Sequence, residues 1–111
     1  DGRVLLQQVE IESSSSNVTV VTHWQQMAGP QPVNIFIHAT APDGQLVAQW
    51  DGLGAKWQGW LNGDTLIQVH TLTLPDDLPL ESVQLGMGVY DPETGPRWLT
   101  TEGLDQIQLQ K

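Results

Sequence analysis

The sequence predicts an all-β protein, an antiparallel β-sandwich of immunoglobulin-like or jelly-roll-like type with about eight short strands. Apolar and polar residues alternate with period two along much of the chain, and helical periodicity is nearly absent. Turn-forming Gly, Pro, Asp and Asn residues separate the alternating runs at intervals of roughly ten to fifteen residues. Two packed sheets fit this pattern, because each strand then buries one of its faces.

The first three strands are predicted at residues 3–11, 17–25 and 33–39. The first ends at a run of serines, which suit a turn. The next two strands alternate, so every second residue of each is expected to face the core: Val18, Val20, Trp24, Val33, Ile35 and Ile37.

A hairpin is predicted next, because Pro42, Asp43 and Gly44 form a turn in which glycine accepts positive φ easily. Its second strand, residues 45–50, is expected to present three residues on one face: Leu46, Ala48 and Trp50. The fifth strand, residues 65–74, has apolar residues on both of its faces, so alternation does not fix its inward side. Ile67 and Val69 are predicted to face inward because β-branched residues suit a strand core. An apolar outer face would then contain Val21, Phe36, Leu66 and Leu72.

The last three strands are predicted at residues 83–90, 97–100 and 104–110, and a compact turn at 91–95 precedes the second of them. Their inward residues are expected to be Val83, Leu85, Met87, Val89, Ile107 and Leu109. We therefore expect residues 1–111 to form a single domain. Because the chain begins with Asp1, we expect it to be excised from a longer protein.

Composition argues against several classes of function. Four Lys and Arg residues against 13 Asp and Glu residues give a net charge of -9, which repels nucleic acid and anionic membrane surfaces. No apolar stretch approaches the roughly 20 residues that cross a bilayer, so this chain is not expected to insert into a membrane. The sequence also lacks Cys and the motifs HExxH, GxSxG and GxxxxGK[ST]. We predict no enzyme activity, no catalytic residue and no cofactor.

Two sets of residues are of the types that bind metal ions. His23, His38 and His70 share the predicted outward parity, and zinc or copper would bind them if their strands were neighbours. Oxygen ligands for calcium occur in the predicted loops: Asp51, Asn62, Asp64, Asp91 and Glu93. Neither set has the spacing of a known metal motif. Surface histidines and turn-forming residues are the favoured interpretation, so no metal site is predicted.

The segment WDGLGAKWQGWLNGDT, residues 50–65, contains three of the five tryptophans within a glycine-rich loop. Exposed indole rings stack on sugars, and Trp57 and Trp60 would then form a platform with Asn62 and Asp64 as polar neighbours. Alternatively the rings cover an edge of the core, with the Trp60 indole N–H bonded to a carbonyl. The second interpretation is favoured, because large aromatic residues are usually buried.

The order of motifs resembles a β-sandwich domain found at the C-terminus of bacterial membrane proteins. The resemblance starts with THWQQMAGPQPVNIFIHATAPDGQLVAQWDG at residues 22–52 and continues through WLNGD at 60–64 and GVYDPETG at 88–95 with Arg97. The parent proteins are similar to membrane glycosyltransferases of the dolichyl-phosphate-mannose mannosyltransferase type from Chloroflexi-like bacteria. The resemblance covers most of residues 18–100.

The resemblance implies a non-catalytic accessory domain on the extracytoplasmic side of a bacterial cell envelope. Its role would be structural or protein-binding, with the parent membrane protein as partner, and self-association is a further possibility. The alternative is a carbohydrate-binding module that uses the loop tryptophans.

Overall fold

The computed structural model describes residues 4–14, 17–53, 56–95, 97–98, 104 and 106–109. The predicted all-β sandwich is confirmed: the described residues form two antiparallel sheets. Their strands are β1 (Val4–Ser14), β2 (Asn17–Gln26), β3 (Asn34–Thr40), β4 (Leu46–Gly52), β5 (Thr65–Thr73), β6 (Gln84–Tyr90), β7 (Arg97–Trp98) and β8 (Ile107–Gln108). Short 3₁₀ helices lie at Trp57–Gly59 and Leu80–Ser82. No helix among these residues has the length and hydrophobicity that a membrane crossing requires.

One sheet has three strands in the order β1-β2-β5, and the other has five. In the five-stranded sheet β3 lies between β4 and β6, while β7 and β8 pair with different parts of β6. The chain passes from β4, an edge of the larger sheet, to β5, an edge of the smaller one. The tryptophan-rich loop, residues 53–64, is therefore the crossover between the sheets.

The hydrophobic core lies between the two sheets. Alternation predicts most of it correctly, because the inward residues of β2, β3 and β6 are all buried: Val18, Val20, Trp24, Ile35, Ile37, Leu85, Met87 and Val89. Val33 and Val83, which directly precede β3 and β6, are buried as well. Trp50 is partly buried against the same cluster.

The predicted hairpin is confirmed, and its glycine adopts the expected conformation. Gly44 has φ +89°, its N–H donates to the Ala41 carbonyl, and the Asp43 carboxylate accepts the Gln45 N–H at 2.9 Å. The expected inward position of Leu46 is wrong, since this residue is 46% exposed. The register shifts after Ala39, so β4 carries a bulge that moves its first residue off the inner face.

The inward face predicted for β5 is also wrong. Ile67 and Val69 are exposed, whereas the opposite parity is turned to the core: Leu66, Gln68, His70 and Leu72, followed by Leu74. Three leucines on that side provide more apolar surface than the two β-branched residues do. The polar residues beside them are accommodated because they hydrogen-bond within the core.

Candidate functional site

The crossover loop is held to the sandwich by Trp60. This side chain is only 4% exposed and packs in the core, and its indole Nε1 donates to the Asp64 carbonyl oxygen at 2.9 Å. A buried indole N–H requires such a partner. The predicted bond between this indole and a carbonyl is therefore present, and the Trp60 ring is not offered to solvent.

Asn62 and Asp64 fix the shape of the loop. The Asn62 side-chain oxygen accepts the Gly29 N–H at 2.6 Å, which ties the crossover to the segment after β2. The Asp64 carboxylate accepts the Leu61 N–H at 3.2 Å, and the Asp64 N–H donates to the Leu61 carbonyl. Both side chains are exposed, although one Asp64 oxygen is engaged in the turn and the Asn62 oxygen is engaged with the segment after β2.

A cleft of about 390 Å³ opens beside the loop. Its lining comes from the crossover and the start of β5: Lys56, Gly59, Trp60, Asp64, Thr65 and Leu66. Trp57, in the short 3₁₀ helix, is partly buried against the core. Of the four residues predicted for sugar binding, the cleft thus brings together Trp60 and Asp64. Saccharide binding here stays a prediction.

The three histidines occupy three different faces. His23 lies on the outer face of the three-stranded sheet, His70 on its inner face, and His38 on the outer face of the five-stranded sheet. The expectation that all three point outward is wrong for His70, for the reason given for β5. Among the described residues, no three His, Cys, Asp or Glu side chains are grouped so that they could hold a metal ion.

His70 belongs to a polar cluster inside the core. Trp24 Nε1 donates to the Thr22 hydroxyl oxygen at 2.9 Å, and that oxygen lies 3.0 Å from His70 Nε2. The Gln68 amide nitrogen is 3.4 Å from the same imidazole nitrogen. We assign Nε2 as the acceptor and place the proton on Nδ1, which is buried without a hydrogen-bond partner among the described residues.

Burial lowers the pKa of His70 to about 4, so the ring is neutral at physiological pH. The Trp50 ring from the opposite sheet packs perpendicular to the imidazole, with 4.3 Å between the ring centroids. The cluster therefore joins both sheets through side chains. With Ile67 and Val69 taken as inward, alternation places Gln68 and His70 on the outer face of β5. The signal that would have placed them inside is the three leucines on the same face of the strand.

On the outer face of the five-stranded sheet, Phe36 is buried under other side chains. Only 3% of it is exposed, and the Arg97 guanidinium carbon lies 4.4 Å from its ring centroid. The His38 ring packs beside it at 4.7 Å. Burial lowers the pKa of His38, Arg97 lowers it further, and Asp51 opposes both effects.

Next to this stack, Tyr90 donates its hydroxyl proton to Asp51 at 2.5 Å and accepts a bond from the Asn34 amide at 3.3 Å. The bond to Asp51 raises the pKa of Tyr90. Polar and cationic groups thus cover the Phe36 ring, which alternation predicts on an apolar outer face.

An exposed apolar surface does exist on the other sheet, with a different composition from the one expected. Ile67 is 59% exposed and Val69 57%, and Val21 pairs directly with Val69. We call these three residues the β5 patch. The predicted outer face was wrong for Leu66 and Leu72, which point to the core, and Val21 and Phe36 lie on different sheets.

In comparisons with known proteins, the sequence matches no protein-family model and no curated protein.

Proposed function

We propose that this domain is a non-catalytic protein-interaction module that docks through the β5 patch. The observation that carries the proposal is the exposure of two adjacent β-branched residues, Ile67 and Val69, on one sheet face. A contiguous apolar surface of this kind is typical of a binding site when it is rimmed by polar residues. Thr19, Thr71 and Glu10 flank the patch on neighbouring strand positions.

The resemblance to the appended domain supplies the partner in this proposal. We infer that the patch contacts the membrane protein that carries the domain, or another envelope protein, on the extracytoplasmic side. The net charge of -9 supports a protein partner over nucleic acid or an anionic lipid surface, both of which the domain would repel.

The test is site-specific photo-crosslinking of the full-length protein in its own bacterium. Benzoylphenylalanine in place of Ile67 is expected to cross-link to protein upon irradiation, because the side chain would lie in the interface. Leu46 is the matched control, since it is similarly exposed but lies on the other sheet. Equal cross-linking at both positions would reject the interaction role for the β5 patch.

The second candidate is saccharide binding at the cleft. It is supported by two charged residues that line the cleft, Lys56 and Asp64, and by Gly59, which also lines it and ends the 3₁₀ helix that begins with Trp57. Two-dimensional NMR of the indole N–H groups, with saccharides added in turn, tests it. Saturable movement of the Trp57 signal, lost in Trp57→Ala, is the supporting result. Five unmoved signals across the panel would reject this candidate.

A further inference from the structure

The crossover loop contains a chemically reactive pair of neighbours, Asn62 and Gly63. Of the three asparagines in the chain, Asn62 alone precedes glycine, and the other two precede valine and isoleucine. Glycine has no side chain to shield its backbone nitrogen, so this nitrogen can approach the amide carbon of the preceding asparagine. Gly63 is also open in the fold, since a Cβ added at its φ of +86° would meet no atom within 4 Å. The pair is therefore a candidate for deamidation.

Deamidation of such a pair needs only water and a base from solution. The Gly63 nitrogen gives up its proton and attacks Asn62 Cγ, and a cyclic succinimide forms as Nδ2 takes up a proton and leaves as ammonia. Water then opens the ring at one of its two carbonyl carbons. Attack at Cγ gives aspartate, and attack at the main-chain carbonyl carbon gives isoaspartate, in which the backbone runs through Cγ. Either product adds a negative charge to the loop.

Hydrogen bonds hold both reacting groups in the folded chain. The Gly63 N–H donates to the Gln26 carbonyl oxygen at 2.7 Å. The Asn62 Oδ1 accepts the Gly29 N–H at 2.6 Å. A nitrogen whose proton is engaged in a short hydrogen bond is a poor nucleophile, and an amide tied to another segment is not free to turn towards that nitrogen. Ring closure therefore requires both bonds to open.

The residue after this pair is anchored to the same strand end. The Asp64 carbonyl oxygen accepts the Gln26 N–H at 3.0 Å and the Trp60 indole N–H at 2.9 Å. Gln26 and Trp60 are both buried, so these bonds are shielded from competing water. Opening of the loop around Asn62 is accordingly coupled to the Trp60 anchor.

We propose that Asn62 is a site of spontaneous deamidation and that opening of the crossover loop controls its rate. Aspartate at this position retains an oxygen that accepts the Gly29 N–H. Isoaspartate instead lengthens the main chain by one carbon, directly beside the bond between Gly63 and Gln26. Because Asp64 lines the cleft, the isoaspartate form alters the loop that borders it. The inference is independent of the proposed interaction function.

The test compares deamidation in the folded chain with that in the chain unfolded by guanidinium chloride, at one mildly alkaline pH and one temperature. Peptide mapping by mass spectrometry follows the mass increase of the peptide that contains Asn62, and electron-based fragmentation identifies isoaspartate. The folded chain is expected to convert measurably, but about tenfold or more slowly than the unfolded chain. Isomerisation at Asp–Gly pairs changes no mass and is not counted. Asn62→Gln is the control and should show no mass increase in this peptide.

Matched tryptophan variants connect the rate to the loop. Trp60→Phe removes the bond to the Asp64 carbonyl and is expected to accelerate deamidation of the folded chain about threefold or more. Trp57→Phe makes the same change at a partly buried position of the same crossover and is expected to alter the rate by less than about twofold. Neither variant should change the rate in guanidinium chloride, because the reacting pair is untouched.

Three results would overturn the inference. Equal rates in the folded and unfolded chains would show that the two hydrogen bonds do not protect Asn62. Conversion confined to the unfolded chain would show that the folded protein is not modified at this position. Equal acceleration in the two tryptophan variants would remove control by the Trp60 anchor. The first two comparisons use the wild type alone, so they decide the matter even if Trp60→Phe does not fold.

Discussion

His70 is the single side chain expected to have the largest effect on acid stability. Its pKa is about 4 in the folded protein, below the usual value of 6.5, because burial disfavours the imidazolium form. As the pH falls from 6.5 towards 4, the unfolded chain binds the proton first, so stability present above pH 6.5 is lost. The full loss amounts to about 3 kcal/mol.

Urea unfolding of His70→Gln at pH 7, 5 and 4 tests this expectation. The variant loses the titrating ring, so its free energy of unfolding is expected to fall less steeply with acidification than that of the wild type. Val69→Gln, at an exposed position of the same strand, is the control and should retain the wild-type slope because no titrating group is changed. If the free energy of unfolding of His70→Gln falls with acidification as steeply as that of the wild type, the acid sensitivity arises from carboxylates.

Trp60 and Trp57 are expected to differ in their contribution to stability, although only three positions separate them. Trp60→Phe removes the bond to the Asp64 carbonyl and part of a buried ring, at a cost of about 1–3 kcal/mol. Trp57→Phe changes a partly buried ring and is expected to cost clearly less. Equilibrium urea unfolding measures both, and equal costs would contradict the assigned role of Trp60.

Strands differ in how completely their sequences predict them. β2 and β6 alternate strictly, so their buried faces were predicted residue by residue. β5 has apolar residues at both parities, and its orientation depends on tertiary partners such as Thr22, which alternation does not reveal. The bulge in β4 likewise results from pairing with β3. Of the candidate site, the carbonyl bond of Trp60 was predicted, but the cleft was not, because it arises between the crossover and β5.

The turn of the β3–β4 hairpin depends on the backbone of Gly44. Gly44→Ala is expected to destabilise the protein by about 1 kcal/mol, because alanine disfavours a φ of +89° even though no atom crowds the position. Gly59→Ala is the matched control: its position is equally open and its φ is not in the left-handed region. Thermal unfolding of both variants measures the difference, and similar melting temperatures would contradict the prediction.

The charge of the entire domain opposes its compact state. With a net charge of -9, raising the NaCl concentration is expected to increase the melting temperature by screening self-repulsion. Calorimetry at low and moderate salt measures the increase. Asp76→Asn combined with Asp77→Asn removes two exposed charges and should make the increase in melting temperature with salt smaller. A melting temperature that falls with added salt in both proteins would show that specific ion pairs outweigh the net repulsion.

The hydrogen bond between Thr22 and His70 has a consequence for how the chain finds its native alignment. The apolar face of a strand excludes a shift of one residue, which would turn its apolar side chains outward. It permits a shift of two residues, which keeps the same side chains inside. Shifting β5 by two residues so that His70 lies opposite Val18 would separate His70 from Thr22, and buried polar atoms would lose their partners. The buried polar pair therefore disfavours an alternative alignment of β5 that would bury the same apolar side chains.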